Sequence, residues 1–437
     1  MTSRSATRSA TTHPAASRRA PEARRLLLLG VAAWLLAPAA HAYSVLSHEA
    51  LVDAAWDGSI LPRLRERFPD ASAERLERAR AYAYGGCLIQ DMGYYPYGNR
   101  LFTDLTHYVR TGAFVSALVA EATTLDEYAF ALGAAAHYAG DGDGHTIGTN
   151  RAVPLTYPDL RRRFGDVVAY AEDPMAHVRV EFGFDVVQVA AGRYRSGAYM
   201  SFIGFEVATP LLERAFHRTY GLEMKDLFPD LERALGSYRW AVSRLIPELT
   251  RVAWLRRRDE IQKLDPQASE ANFVFNLPRA EFRRRFGTRY QEPGLLTRVV
   301  MFLARVVPKV GPLKMLVPRP PTPEGERLFR ESFAVSLEDY RTVLDDVGRA
   351  GALQNINLDI GPAAHAGDYR LADEAYASLL LLLAKKGLGS VPAPLRQDIL
   401  SFYGDLSAPI ATKQYEKRWK RTLHALEELR AGDLGGR

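Results

Sequence analysis

Cysteine is almost absent. The single Cys87 in 437 residues permits no intramolecular disulfide, so the fold must rest on core packing or bound ions. Long apolar runs are also short of what a membrane span needs. Leu26–Ala37 has 12 residues, against about 20 for a spanning helix. Leu379–Leu383 is shorter still and is flanked by Asp373, Glu374, Lys385 and Lys386. Net charge is low where it matters: the formal +6 comes mostly from residues 1–42, where six arginines face only Glu22, and the rest of the chain carries +1. That balance gives no electrostatic case for nucleic acid or an anionic membrane. There is no internal repeat, no glycine-rich phosphate loop, no nucleophile elbow and no convincing strand series.

What is present begins with a leader. A basic stretch ends in Arg24-Arg25, the apolar run follows, and Pro38 precedes the small-residue site Ala40-His41-Ala42. This pattern predicts a signal peptide over 1–42, export to the periplasm or medium, and a mature chain starting at Tyr43; an uncleaved anchor is the alternative. At 437 residues the chain has room for two or three domains or one large one, and 47% hydrophobic with 25% charged residues is ordinary for a globular protein.

The periodicity predicts an all-α protein, with helices over 49–57, 72–86, 200–218, 229–263, 324–348, 370–386 and 393–430. The loop Gln90–Asn99, with Pro96 and its glycines, is expected to lack regular structure. A change of character near residue 265 suggests a helical domain over 43–264 and a mostly helical C-terminal region over 265–437, joined through the proline-rich stretch 318–323. Residues 295–317 are apolar and basic without an acid. They read as a peripheral membrane element, or as a helix packed on the core with its arginines reaching outward.

The chemistry gathers in His137-Tyr-Ala-Gly-Asp141-Gly-Asp-Gly-His145, at the end of an alanine-rich segment from Leu125 that reads as a buried helix. His137 and Asp141 share a helix face at four-residue spacing. The glycines at 140, 142 and 144 predict that the helix ends there and the chain turns, swinging His145 onto a neighbouring site. His177 and Glu181 repeat the spacing after Asp173-Pro174. Five of the ten histidines lie between residues 48 and 177: His48, His107, His137, His145 and His177. With Asp91, Asp141 and Glu181 they offer imidazole nitrogen and carboxylate oxygen enough for more than one zinc ion. Taken singly, each also reads as a core histidine, a turn cap or a helical ion pair.

The order and spacing of these residues resemble the zinc-dependent phospholipases C and the related single-strand-specific zinc nucleases. The resemblance spans residues 43–181 and continues loosely to about 260. It implies an all-α exported enzyme with up to three Zn2+ ions. Asp91, His107, His137 and Asp141 would hold one ion, and His145, His177 and Glu181 a second. The amine of Tyr43, His48 and a bridging Asp141 would hold the third. It also implies that Asp91 accepts the proton from a metal-activated water. The loop aromatics Tyr94, Tyr95 and Tyr97 either wall the substrate cleft or simply pack the loop down.

Three features depart from the family pattern. Only three residues separate Asp141 from His145, with Asp143 as a competing ligand; Asp91 and His107 are slightly far apart; and Tyr43 stands where Trp is usual. No acid occurs among Ser44–Ser47 and Met92 follows Asp91, so choline specificity does not carry over. The expected activity is phospholipase C-like cleavage of a phospholipid. The other two readings are a single-strand nuclease on the same trinuclear site and a non-catalytic zinc-stabilised binding protein. Nothing in the charge favours the nuclease.

Overall fold

A computed structural model describes residues 44–190, 206–242, 258–259, 262, 319, 321–348 and 353–434. Among them the regular elements are all helical and no strand occurs, and no helix is long and apolar enough to cross a membrane. The leader 1–42, Tyr43 and the stretch 295–317 lie outside the described residues. Of 318–323, Arg319, Pro321 and Thr322 are non-helical and Pro323 opens a helix.

The helix Leu125–Asp143 is the axis of the molecule. Thr124 caps it by accepting the Glu127 amide, and Asp126 and Glu127 place negative charge in its first turn. Every residue of it except Asp126, Glu127 and Asp143 is buried. Its alanines and glycines let the helix Ala73–Leu88 lie against it backbone to backbone. A Cβ added at Gly86 would sit 1.9 Å from the Phe130 carbonyl oxygen, and one at Gly133 would sit 1.9 Å from that of Ala83. Either side chain would force the two helices apart.

The expectation that glycines end this helix is overturned. It runs through Gly140 and Gly142 to Asp143 and passes directly into a π-helical turn, Gly144–Thr149, then into the helix Asn150–Thr156 with Pro154 inside it. None of the three glycines has positive φ. Their smallness serves close approach instead. A Cβ at Gly140 would meet Leu51 Cδ1 at 2.9 Å and His48 Nδ1 at 3.3 Å, on the helix Val45–Ala55.

Other boundaries differ too. The stretch Gln90–Asn99 begins in a 3-10 helix, Ile89–Tyr94. Of the pattern over 200–218, residues 206–208 are non-helical, with the Glu206 amide donating to Ala81 O at 3.0 Å, and the helix is Thr209–Tyr220. Of the pattern over 229–263, Leu231–Trp240 is α-helical, 241–242 continue as π-helix, and 258–259 and 262 are helical as well. The pattern over 393–430 splits into Ala393–Phe402 and Glu416–Leu434, with Gly404 and Pro409 in the intervening turns.

The C-terminal helices share the core of the N-terminal ones. One hydrophobic cluster runs from Val45 to Leu429, and Tyr340 on the helix Pro323–Gly348 donates its hydroxyl to Leu132 O on the axis at 2.9 Å.

Candidate metal centre

The functional side chains meet at the C-terminal end of the axis. His137 and Asp141 come from the axis and His145 from the π-helical turn beyond it. The first helix brings His48, the 3-10 helix brings Asp91, and Arg100–Tyr108 brings His107. His177 and Glu181 stand one turn apart on the helix Pro174–Ala190. All eight are buried, none more than 1% exposed. They form three triads with ligand atoms within 4.8 Å of one another: His48–His137–Asp141, Asp91–His107–His137, and His145–His177–Glu181.

The first two triads share His137 and form one cluster around Asp141. His48 Nε2 stands 3.2 Å from Asp141 Oδ1, while His107 Nε2 and His137 Nε2 each stand 3.2 Å from Oδ2. Asp91 Oδ1 is 3.4 Å from His107 Nε2. The backbone fixes the rings from behind: His107 Nδ1 meets Thr103 O at 2.9 Å and His137 Nδ1 meets Cys87 O at 2.9 Å. With those Nδ1–H groups donating, the lone pairs of the neutral rings lie on the two Nε2 atoms, which face each other at 3.2 Å. Lone pairs and carboxylate oxygens converging on one buried point could hold a metal ion there.

The third triad is built the same way. His145 Nδ1 meets Leu358 O at 3.0 Å and His177 Nε2 meets Val168 O at 2.6 Å. That leaves His145 Nε2 at 4.0 Å and His177 Nδ1 at 3.5 Å from Glu181 Oε1. Among the described residues, no hydrogen-bond partner meets His145 Nε2, His177 Nδ1 or either Glu181 oxygen. Orphaned buried groups of this kind cost several kcal/mol each unless an ion satisfies them. Two imidazoles and a carboxylate suit zinc.

The electrostatics separate the members. Burial drives His48 down to about 4, with the His137 ring stacked on it at 4.3 Å adding to the effect. Burial, then His145, drives His177 down to about 3. Burial opposes charge on His107 as well, but hydrogen bonds that its ring donates to Asp141 and Asp91 outweigh it and raise its pKa; His137 is raised against burial by the same two acids. Burial also works against Asp141, yet His137 and the bonds from His107, His137 and His48 hold its carboxyl well below the usual range. Glu181, with burial and then Asp141 opposing its charge, is pushed well up.

Other expected members fall elsewhere. Asp143 is not a competing ligand. It faces Asp339 and Ser336 on the helix Pro323–Gly348, and burial followed by Asp339 raises it to about 7. Tyr94 stands edge-on to His107 with ring centroids 6.4 Å apart. Tyr95 packs on Tyr238 at 4.5 Å, and Tyr97 lies under the Arg233 guanidinium at 4.1 Å.

Two carboxylates had not been foreseen. Asp185 accepts the Leu46 amide at 3.1 Å and the Ser47 hydroxyl at 2.6 Å, anchoring the start of the first helix from one turn beyond Glu181 and two beyond His177; its four-residue spacing after Glu181 was the signal. Asp359 lies 3.4 Å from His145 Nδ1 and carries no local signal at all.

Residues 47–229 match the family model described as zinc dependent phospholipase C. No curated protein and no solved structure matches the chain. All eight buried ligand candidates fall inside the matched span, whereas Leu358 and Asp359 lie beyond it. Over residues 47–229 the chain thus matches the zinc dependent phospholipase C family.

Proposed function

We propose that this protein is a zinc-dependent phosphodiester hydrolase that cleaves phospholipids on the glycerol side of phosphorus, acting outside the cytoplasm after loss of residues 1–42. The observation that carries the reading is the tautomer arrangement. Four imidazoles are held at their outer nitrogen by backbone carbonyls, so that their inner nitrogens converge with Asp91, Asp141 and Glu181.

In this reading Asp91, His107, His137 and Asp141 hold one ion and His145, His177 and Glu181 a second. His48 and Asp141, with the Tyr43 amine, hold a third. Zinc in these positions would lower the pKa of a water towards about 7 and offset charge on the phosphoryl oxygens. Asp91, buried 3.4 Å from His107 Nε2, is the proton acceptor. Tyr94, edge-on to His107, walls the side of the cleft next to that acid. Tyr95 and Tyr97, engaged with Tyr238 and Arg233, hold the loop down. The family match favours a phospholipid as substrate.

The test uses residues 43–437 with an authentic Tyr43 N-terminus. Elemental analysis is expected to find about three zinc per chain, as the ligand sets imply, with chelator-sensitive release of diacylglycerol from mixed phospholipid vesicles. Cleavage of single-stranded DNA and not lipid would replace this reading with the nuclease. Zinc without turnover on either would leave a metal-stabilised binding protein.

A further inference from the structure

We propose that Asp359, together with the Leu358 carbonyl, is the outer clamp of His145: a positioning residue that the C-terminal segment supplies to the metal centre. The inference rests on the metal reading above. It concerns residues beyond the matched span 47–229 and gives the C-terminal region a part in the site.

The His145 ring is gripped from behind at one nitrogen. Its Nδ1 meets Leu358 O at 3.0 Å, and Asp359 Oδ1 stands 3.4 Å from the same nitrogen as a charge partner, so a carbonyl takes the N–H while a carboxylate sets the field around it. This selects the tautomer whose Nε2 lone pair faces Glu181 and His177. The carboxylate adds basicity that a carbonyl alone would not.

Asp359 is itself held on every side. Tyr108 donates its hydroxyl to Oδ2 at 3.0 Å, and Tyr369 donates to the same oxygen. Its amide donates to Asn357 Oδ1 at 2.9 Å, and its carbonyl accepts from Asn150 Nδ2 at 2.7 Å. Oδ1 faces His145: among the described residues it accepts no hydrogen bond, and His145 Nδ1 stands 3.4 Å from it. The residue is fully buried. A carboxylate there without a partner would cost the fold several kcal/mol.

The turn around it is shaped for the purpose. The Asn357 side chain also accepts the Ile360 amide at 3.3 Å, and Gly361, at φ +89°, donates its amide to Asn357 O at 2.7 Å. Leu358 faces both clusters at once, because its amide donates to His107 O at 3.0 Å while its carbonyl takes the His145 ring. One short segment therefore sets the spacing between the two clusters.

The test compares wild type with Asp359→Asn and Tyr369→Phe in the 43–437 chain. The asparagine keeps the shape and loses the charge; the phenylalanine removes one of the bonds holding the carboxylate, together with the acceptor of the Ala171 amide. Zinc affinities are measured by competition with a chromophoric chelator, alongside the Co2+ absorption spectrum and the Tm of the metal-free chain. Asp359→Asn is expected to weaken one ion by roughly 10–100-fold and to alter the Co2+ bands, with the remaining ions and the metal-free Tm unchanged. Tyr369→Phe should do the same to a smaller degree, and it serves alone if Asp359→Asn does not fold. Unchanged affinities and spectra would overturn the proposal. So would equal weakening of every ion with a lowered metal-free Tm, which would make Asp359 a structural residue only. A wild type that binds no zinc would remove the metal reading itself.

Discussion

The cluster around Asp141 and the triad around Glu181 lie at the same end of one helix but are built on different principles. Around Asp141 the opposite charges compensate one another. Three imidazoles share one carboxylate, Asp91 adds a second, and every supporting carbonyl comes from the matched domain. Around Glu181 nothing compensates. Its oxygens meet no hydrogen-bond partner among the described residues, both rings turn towards it the nitrogen that no backbone carbonyl holds, and the back of His145 is held from beyond residue 350. A self-compensating cluster tolerates loss of its ion better, because protons on His107 and His137 can stand in for it. The triad depends on its ion and on the remote segment.

The sharpest way to break this comparison is Asp141→Asn. It should empty the cluster around Asp141 and lower kcat/KM by at least ~10³-fold, several kcal/mol of lost transition-state stabilisation. The triad should keep its ion. If elemental analysis found both lost together, the two would be one cooperative unit and the distinction would fall.

A smaller effect comes from Gly140→Ala. The added methyl meets Leu51 Cδ1 at 2.9 Å and His48 Nδ1 at 3.3 Å, so overpacking should cost about 1–3 kcal/mol. His48 should shift away from Asp141 while His145, His177 and Glu181 stay in place. Chemical unfolding and metal counting would read the two consequences separately; an unchanged midpoint would contradict the packing argument.

The smallest effect concerns pH and the metal-free chain. The folded value of His177, about 3, lies below the 6.5 of the unfolded chain. The unfolded state therefore binds the extra proton, and this residue's contribution is lost as pH falls from 6.5 towards 3. His177→Gln should flatten the decline by at most ~1.4 kcal/mol per pH unit. Comparing the slopes of variant and wild type isolates His177 from His107 and His137, whose raised values act in the opposite sense. Equal slopes would mean that His177 is not held neutral in the fold.

How far the site was legible follows from distance along the chain. His137 with Asp141 and His177 with Glu181 were readable because four residues make about one helical turn. The stacking of His48 on His137, and the placing of His107 beside Asp91, needed helices to pack against one another. Asp359 was not readable, since it meets His145 across more than two hundred residues with no local pattern to mark it. The glycines misled for a physical reason: a missing side chain serves a turn or a close approach equally well. At 140 it admits His48, whereas at 361 a positive φ makes a real turn.

The sequence alone determined that the protein is helical and that its histidines and acids come in metal-binding order, because both are written in short-range periodicity. Tertiary structure decided which ring nitrogen faces inward, since that depends on carbonyls at 87, 103, 168 and 358. It also excluded Asp143 and brought in Asp359. These are questions of which buried group meets which partner, and only the packed chain answers them.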